Sequence, residues 1–200
     1  MAARPAGCEK CECSHSNGVN WMNTKIEFVA TEAFSGRQQK GLDILRAAVY
    51  PPEVLETLPS RFFTWAKPQW SVLLWVGEEL VSRVGLLVRA AFHDGISKRI
   101  GGIGGVATHP AKQGQGLASK AMREAAKLFH EELKVDYALL FCRDHLVPFY
   151  GKLGWKPFEG KVFVEQPGDR IEFSANGAMV LHVKEKAPLD GVMDLNGLPW

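Results

Sequence analysis

The chain has 200 residues, 46% of them hydrophobic and 23% charged, long enough to bury a sizeable core in one domain. Its 24 basic and 22 acidic side chains leave a formal charge of +2, which gives no long-range field to draw nucleic acid or a membrane surface. No apolar run reaches the roughly eighteen residues of a membrane span, and the opening residues lack the apolar stretch of a signal peptide, so a cytoplasmic protein is expected.

Residues 1–22 are polar and without periodicity, and they read as a disordered extension ahead of a single domain over 23–200. Within the extension, Cys8, Cys11, Cys13 and His15 are soft metal ligands in type, but no second ligand pair follows, so no metal site is expected. Cys142 stands alone, with no basic partner at fixed spacing, and reads as a small core residue.

From residue 24 the hydrophobic period alternates. "TKIEFVA" predicts a strand, and "QQKGLDILRAAVY" a helix whose apolar side carries Leu42, Ile44, Leu45, Ala48 and Val49. "PPEVLETLPSRFFTW" is a short helix or a loop. "WSVLLWV", a turn at Gly77 and Glu78, and "LVSRVGLLVRAAF" predict a hairpin, and "HDGISK" turns the chain into a further strand, "RIGGIGGVATH". Beyond Pro110, Leu117, Ala118, Ala121, Met122, Ala125, Leu128, Phe129 and Leu133 recur at threes and fours, which predicts an amphipathic helix. "DYALLFC" is a buried strand, "HLVPFYGKLG" a short helix, and "WKPF", "KVFVEQ", "RIEFS" and "AMVLHV" further strands. A strand, a long helix and another strand imply a right-handed parallel crossover. The fold class is α/β (α+β), with a mixed central sheet and helices on both faces.

The junction "GVATHPAKQGQGLASKAM" feeds a strand through glycines into that helix, an arrangement whose N-terminal amides favour an anion. It is not a Walker loop, which needs G-x-x-x-x-G-K-[ST], nor a dinucleotide fingerprint, whose third small residue would fall on Ser119.

Gln113-Gly114-Gln115-Gly116-Leu117-Ala118, read as Q/R-x-x-G-x-G/A after a strand ending "GVATHP", resembles the GNAT (GCN5-related N-acetyltransferase) superfamily. The likeness runs from about Lys25 to Val183 in element order and includes "FYGKLGWKPF". The final stretch, "PLDGVMDLNGLPW", is similar to the close of the aminoglycoside 2′-N-acetyltransferases. The resemblance implies acetyl-CoA as donor and a small-molecule amine as acceptor, an aminoglycoside in an antibiotic-resistance role being the specific form. It implies no nucleic-acid or membrane partner and leaves a homodimer open. By the same resemblance the amides of Gly114, Gln115, Gly116, Leu117 and Ala118, after Gln113 and with the Ser119 hydroxyl, cradle the pyrophosphate. Val106, Ala107 and Thr108 pair their backbone with the pantetheine arm, and the Val106 N–H polarises the thioester carbonyl.

Tyr150 matches the family tyrosine that protonates the departing thiolate. The glutamate that the aminoglycoside enzymes carry on the strand before the cradle is replaced by Gly104, which leaves the carboxylate of Trp200 as the group to orient an ammonium. His109 reads as turn punctuation, Lys112 as a lysine within reach of the adenosine phosphates. Gly101, Gly102, Gly104 and Gly105 leave the acceptor cleft open, with Phe62, Phe63, Trp65 and Trp70 as a candidate aromatic wall and Glu53 and Glu56 in the covering segment. The alternatives are a longer acyl donor on the same fold, or a catalytically silent module that binds coenzyme A.

Overall fold

The computed structural model of the protein describes residues 23–57 and 59–200. The predicted extension over 1–22, with Cys8, Cys11, Cys13 and His15, lies outside the described residues.

Strand β1 (Thr24–Ala30) leads to helix α1 (Gly36–Val49), which Ser35 starts by accepting from the Gln38 N–H while the Gln38 side chain accepts from the Ser35 N–H. A short helix α2 (Pro52–Thr57) follows, so "PPEVLETLPSRFFTW" is helical at its start. Strands β2 (Trp70–Val76), β3 (Glu79–His93) and β4 (Ile96–Thr108) then form the predicted hairpins. His93 pairs with Ile96 across Asp94 and Gly95, both at positive φ (47° and 78°), the two-residue loop whose twist matches paired strands.

Helix α3 (Leu117–Glu131) carries the chain over to β5 (Tyr137–Cys142), which pairs parallel to β4. Helix α4 (Val147–Gly151) precedes β6 (Lys156–Phe158), β7 (Lys161–Gln166), β8 (Asp169–Glu172), β9 (Gly177–His182) and β10 (Val192–Asp194). The described strands join in one ten-stranded sheet, mostly antiparallel, in which β3 bonds to β2 along its first half and to β10 at its far end. β10 was not legible in the sequence, because three residues among prolines and glycines carry no period.

Alternation on β2 divides the core. Val72 and Leu74 pack with Leu117, Ala121, Met122, Ala125 and Phe129 of α3, while Leu73 and Trp75 pack with Leu45 of α1. The two helices therefore cover opposite faces, as expected. Leu45 is the one fully buried residue of α1, and Ile44 is 56% exposed, so the apolar side predicted there is narrower than read. None of the helices among the described residues is long and apolar enough to cross a membrane.

Candidate active site

Strands β4 and β5 pair only from Ile100 to Ile103 against Tyr137 to Leu140. Beyond that point they part. The cause lies on β4, where Arg83 pairs with Ala107 but Gly85 with Gly104, leaving Gly105 and Val106 opposite Val84 alone. Gly105 takes φ +57°, so this bulge uses the one residue type that enters that region without strain. A bulge bends its strand, and here the bend separates the edge of β4 from β5 over residues 104–108. A cleft of about 740 Å³ opens between them.

The far end of that edge meets α3. The His109 ring accepts from the Ala111 N–H and turns the chain at Pro110, so its predicted role as turn punctuation holds. The Gln113 side chain donates to Thr108 O at 3.2 Å and ties the loop to the strand. Gly114 and Gly116 both lie at φ 74°, and Gly116 is the left-handed N-cap of α3, with no side chain among the described residues capping the helix. The first amide to bond back is that of Lys120, to Gly116 O, which leaves the N–H groups of the first turn, Leu117, Ala118 and Ser119, without intrahelical acceptors. Lys112 stands beside this loop and lies 3.9 Å from Glu79.

Tyr150 of α4 lines the cleft at 5% exposure, with its ring against Phe149 and Trp155. Burial, and then the neighbouring Cys142 and Tyr50, push its phenol well above the ordinary range, so it is a protonated hydroxyl at neutral pH. Cys142 lines the cleft as well, and its thiol donates to Met179 Sδ at 3.6 Å.

Trp200 reaches the same cleft from the end of the chain. Its indole N–H donates to Leu139 O at 3.0 Å, and Arg89 stacks over its ring at 4.9 Å. Pro199 O accepts from Ala66 N–H and Leu198 O from Arg89, so the closing residues are bound down on two sides. The indole fills the place a side chain at Gly102 would take, and the Trp200 main-chain carbon stands 2.9 Å from where a Cβ at Gly104 would be. Gly101 likewise gives its space to the Phe129 ring. These glycines therefore seat other side chains, and the wide cleft expected from them is narrowed by Trp200.

Of the proposed aromatic wall, Trp65 lines the cleft together with Phe34, Tyr50 and Phe141. Phe63 packs against Phe173, Trp70 against Phe28, and Phe62 is 76% exposed. Glu53 and Glu56 are exposed and do not line the cleft; Leu55 of the same helix does.

Sequence reasoning missed the charge. Arg46, Lys67, Arg83 and Arg143 all line the cleft, and no Asp or Glu side chain among the described residues does. Arg83 is the deepest of them: Nε and Nη2 donate to the buried Ser71 hydroxyl at 3.2 and 3.1 Å, and Nη1 donates to Gly105 O at 3.2 Å. Burial, then the like charge of Arg46, draws its guanidinium down to about 10, still charged at neutral pH. These four arginines and lysines come from α1, the segment before β2, β3 and the segment after β5, so no local pattern announced them.

A family model described as an acetyltransferase (GNAT) domain matches residues 40–158. Escherichia coli ElaA is similar in fold, with TM-score 0.55 and 21% identity over 80% of this chain and 99% of that one. An acyl-CoA N-acyltransferase of Pseudomonas aeruginosa gives TM-score 0.53 and 20% identity, over 79% and 99% of the two chains. A GNAT family acetyltransferase of Brucella melitensis, solved in complex with acetyl-CoA, gives 0.51 and 14%, over 84% and 94%. Among curated protein sequences none matches.

Proposed function

The chain belongs to the GNAT acetyltransferase family, and on that premise we propose that it transfers an acetyl group from acetyl-CoA to the amine of a small molecule bound in the cleft between β4 and β5. One feature of the fold supports this most. The unpaired edge of β4 over residues 104–108 runs toward the uncapped N-terminus of α3, so an extended amide chain and an anion could be held in succession. The Brucella melitensis relative that was solved with acetyl-CoA shares this fold.

Bound acetyl-CoA would supply an acyl thioester open to attack by an amine. The remaining tasks fall to the chain. The amides of Gly114, Gln115, Gly116, Leu117 and Ala118, with the Ser119 hydroxyl and the Gln113 side chain that fixes the loop, would hold the pyrophosphate. Val106, Ala107 and Thr108 would pair with the amides of the arm, and the Val106 N–H would face the carbonyl oxygen as it gains charge. The Tyr150 hydroxyl, held protonated by burial, would deliver a proton to the leaving sulfur. The carboxyl group of Trp200, beside Gly104, would orient the incoming ammonium and help pass its proton to water, so that the neutral amine attacks the thioester carbon as the carbon–sulfur bond breaks.

An aminoglycoside is the more specific acceptor that the closing stretch suggested. The cleft charge speaks against a polycation, since four cationic side chains line it, against the one carboxyl group of Trp200, and no Asp or Glu side chain among the described residues does. Equilibrium binding of acetyl-CoA followed by free-thiol release with a panel of amines tests the proposal. Binding with amine-dependent thiol supports it. Binding without thiol for any amine would leave a silent coenzyme A module, and a preference for longer acyl thioesters would change the donor.

A further inference from the structure

We propose that the acceptor is an amino carboxylate, its anionic group held by Arg83 and Arg46 and its amine presented to the thioester side of β4. This rests on the acetyl-transfer reading above and assigns its substrate class.

Arg83 occupies a prepared seat. A side chain at Gly105 would collide with its guanidinium, and one at Gly85 would stand 2.8 Å from Nη2, so two glycines clear its place. Ser71, fully buried, and Gly105 O orient it through three hydrogen bonds, which engages three of its five N–H donors and leaves two for the cleft. Arg46 faces the same space from α1 and adds a second positive charge.

No carboxylate among the described residues forms an ion pair with Arg46, Lys67, Arg83 or Arg143. Guanidiniums brought together at a half-buried position repel one another unless an anion joins them, and a planar carboxylate matches the donor fork of arginine. The donor's own phosphates do not supply that anion by the proposed binding mode, because none of residues 113–119 lines the cleft.

Geometry then limits the acceptor. Gly105, whose carbonyl accepts from Arg83, is next to Val106, where the thioester is proposed to lie, and one residue of strand advances about 3.3 Å. The amine and the anion must therefore sit within a few bonds of each other, as in an amino acid. Phe34, Trp65 and Phe141 line the rest of the cleft and would take an apolar side chain.

The test compares thiol release from acetyl-CoA with a panel of L-amino acids, the matching amides and kanamycin-like polyamines. At least one amino acid is expected to show a kcat/KM about tenfold or more above its amide, the scale of a charge-assisted contact. Arg83→Gln is expected to raise KM for that amino acid at least about tenfold and to erase the preference over the amide, with a smaller effect on kcat. Arg46→Gln, on an exposed helix position, is expected to do the same in part and keeps the test open if the buried variant fails to fold. Amides or polyamines used as well as the amino acids overturn the inference while leaving acetyl transfer intact. Failure to bind acetyl-CoA at all overturns the acetyl-transfer reading itself, and this inference with it.

Discussion

The main-chain carbon of Trp200 stands 2.9 Å from where a side chain at Gly104 would begin, so a residue ninety-six positions later in the chain fills the floor that this glycine leaves bare. The indole does the same at Gly102. Trp200→Ala is expected to cost about 3–5 kcal/mol, as for a large core aromatic, read from the urea midpoint. Gly102→Val should give a similar loss, with the indole emission shifted to the red as the ring is expelled into water. An unchanged midpoint in both variants would mean that the closing residues do not pack as described.

Gly116 begins α3 in the left-handed region at φ 74°. Gly116→Ala should cost about 1–2 kcal/mol of stability, because a Cβ there approaches the following carbonyl. If the amides that follow it hold the pyrophosphate as proposed, it should also weaken acetyl-CoA binding by about tenfold or more, since that residue aims them. Calorimetric titration of the variant checks the second effect against thermal unfolding for the first.

Tyr150→Phe removes one oxygen and keeps the ring contacts with Phe149 and Trp155. If the hydroxyl protonates the leaving sulfur, kcat falls by about 10²-fold or more, with little change in the acetyl-CoA KM. A variant that turns over at the wild-type rate would remove Tyr150 from the chemistry.

Burial, and then the negative charge of Asp144, push the Cys142 thiol up to about 11 from an ordinary 9.0. The native protein at pH 8 is therefore expected to resist alkylation at Cys142, which becomes labelled once urea unfolds the chain; peptide mass spectrometry reads both. The sign for stability follows from the raised value. Keeping the thiol neutral favours the folded state below about pH 9, and that contribution is lost as the pH rises through 11.

Much of this was legible in the residues themselves. The strands and α3 announced themselves because period 2 and period 3.6 are local properties of a chain packing against one face. The junction from Val106 to Ser119 was legible for the same reason: the unpaired edge, the turn at His109 and Pro110, and the glycine-capped helix are neighbours in sequence. Ile44 misled because apolar spacing alone does not say how wide a buried stripe is.

What the tertiary structure alone decided is the lining of the cleft. The glycines of β4 suggested empty space, and whether that space stays empty depends on Trp200, which only folding brings to Gly102 and Gly104. The cationic lining depends on four side chains from four separate segments, each an ordinary surface charge when read along the chain. Backbone geometry repeats every few residues, so sequence can specify the strand, turn and helix start proposed to hold the donor; a pocket's charge is a sum over distant residues, and it exists only once the chain has closed around it.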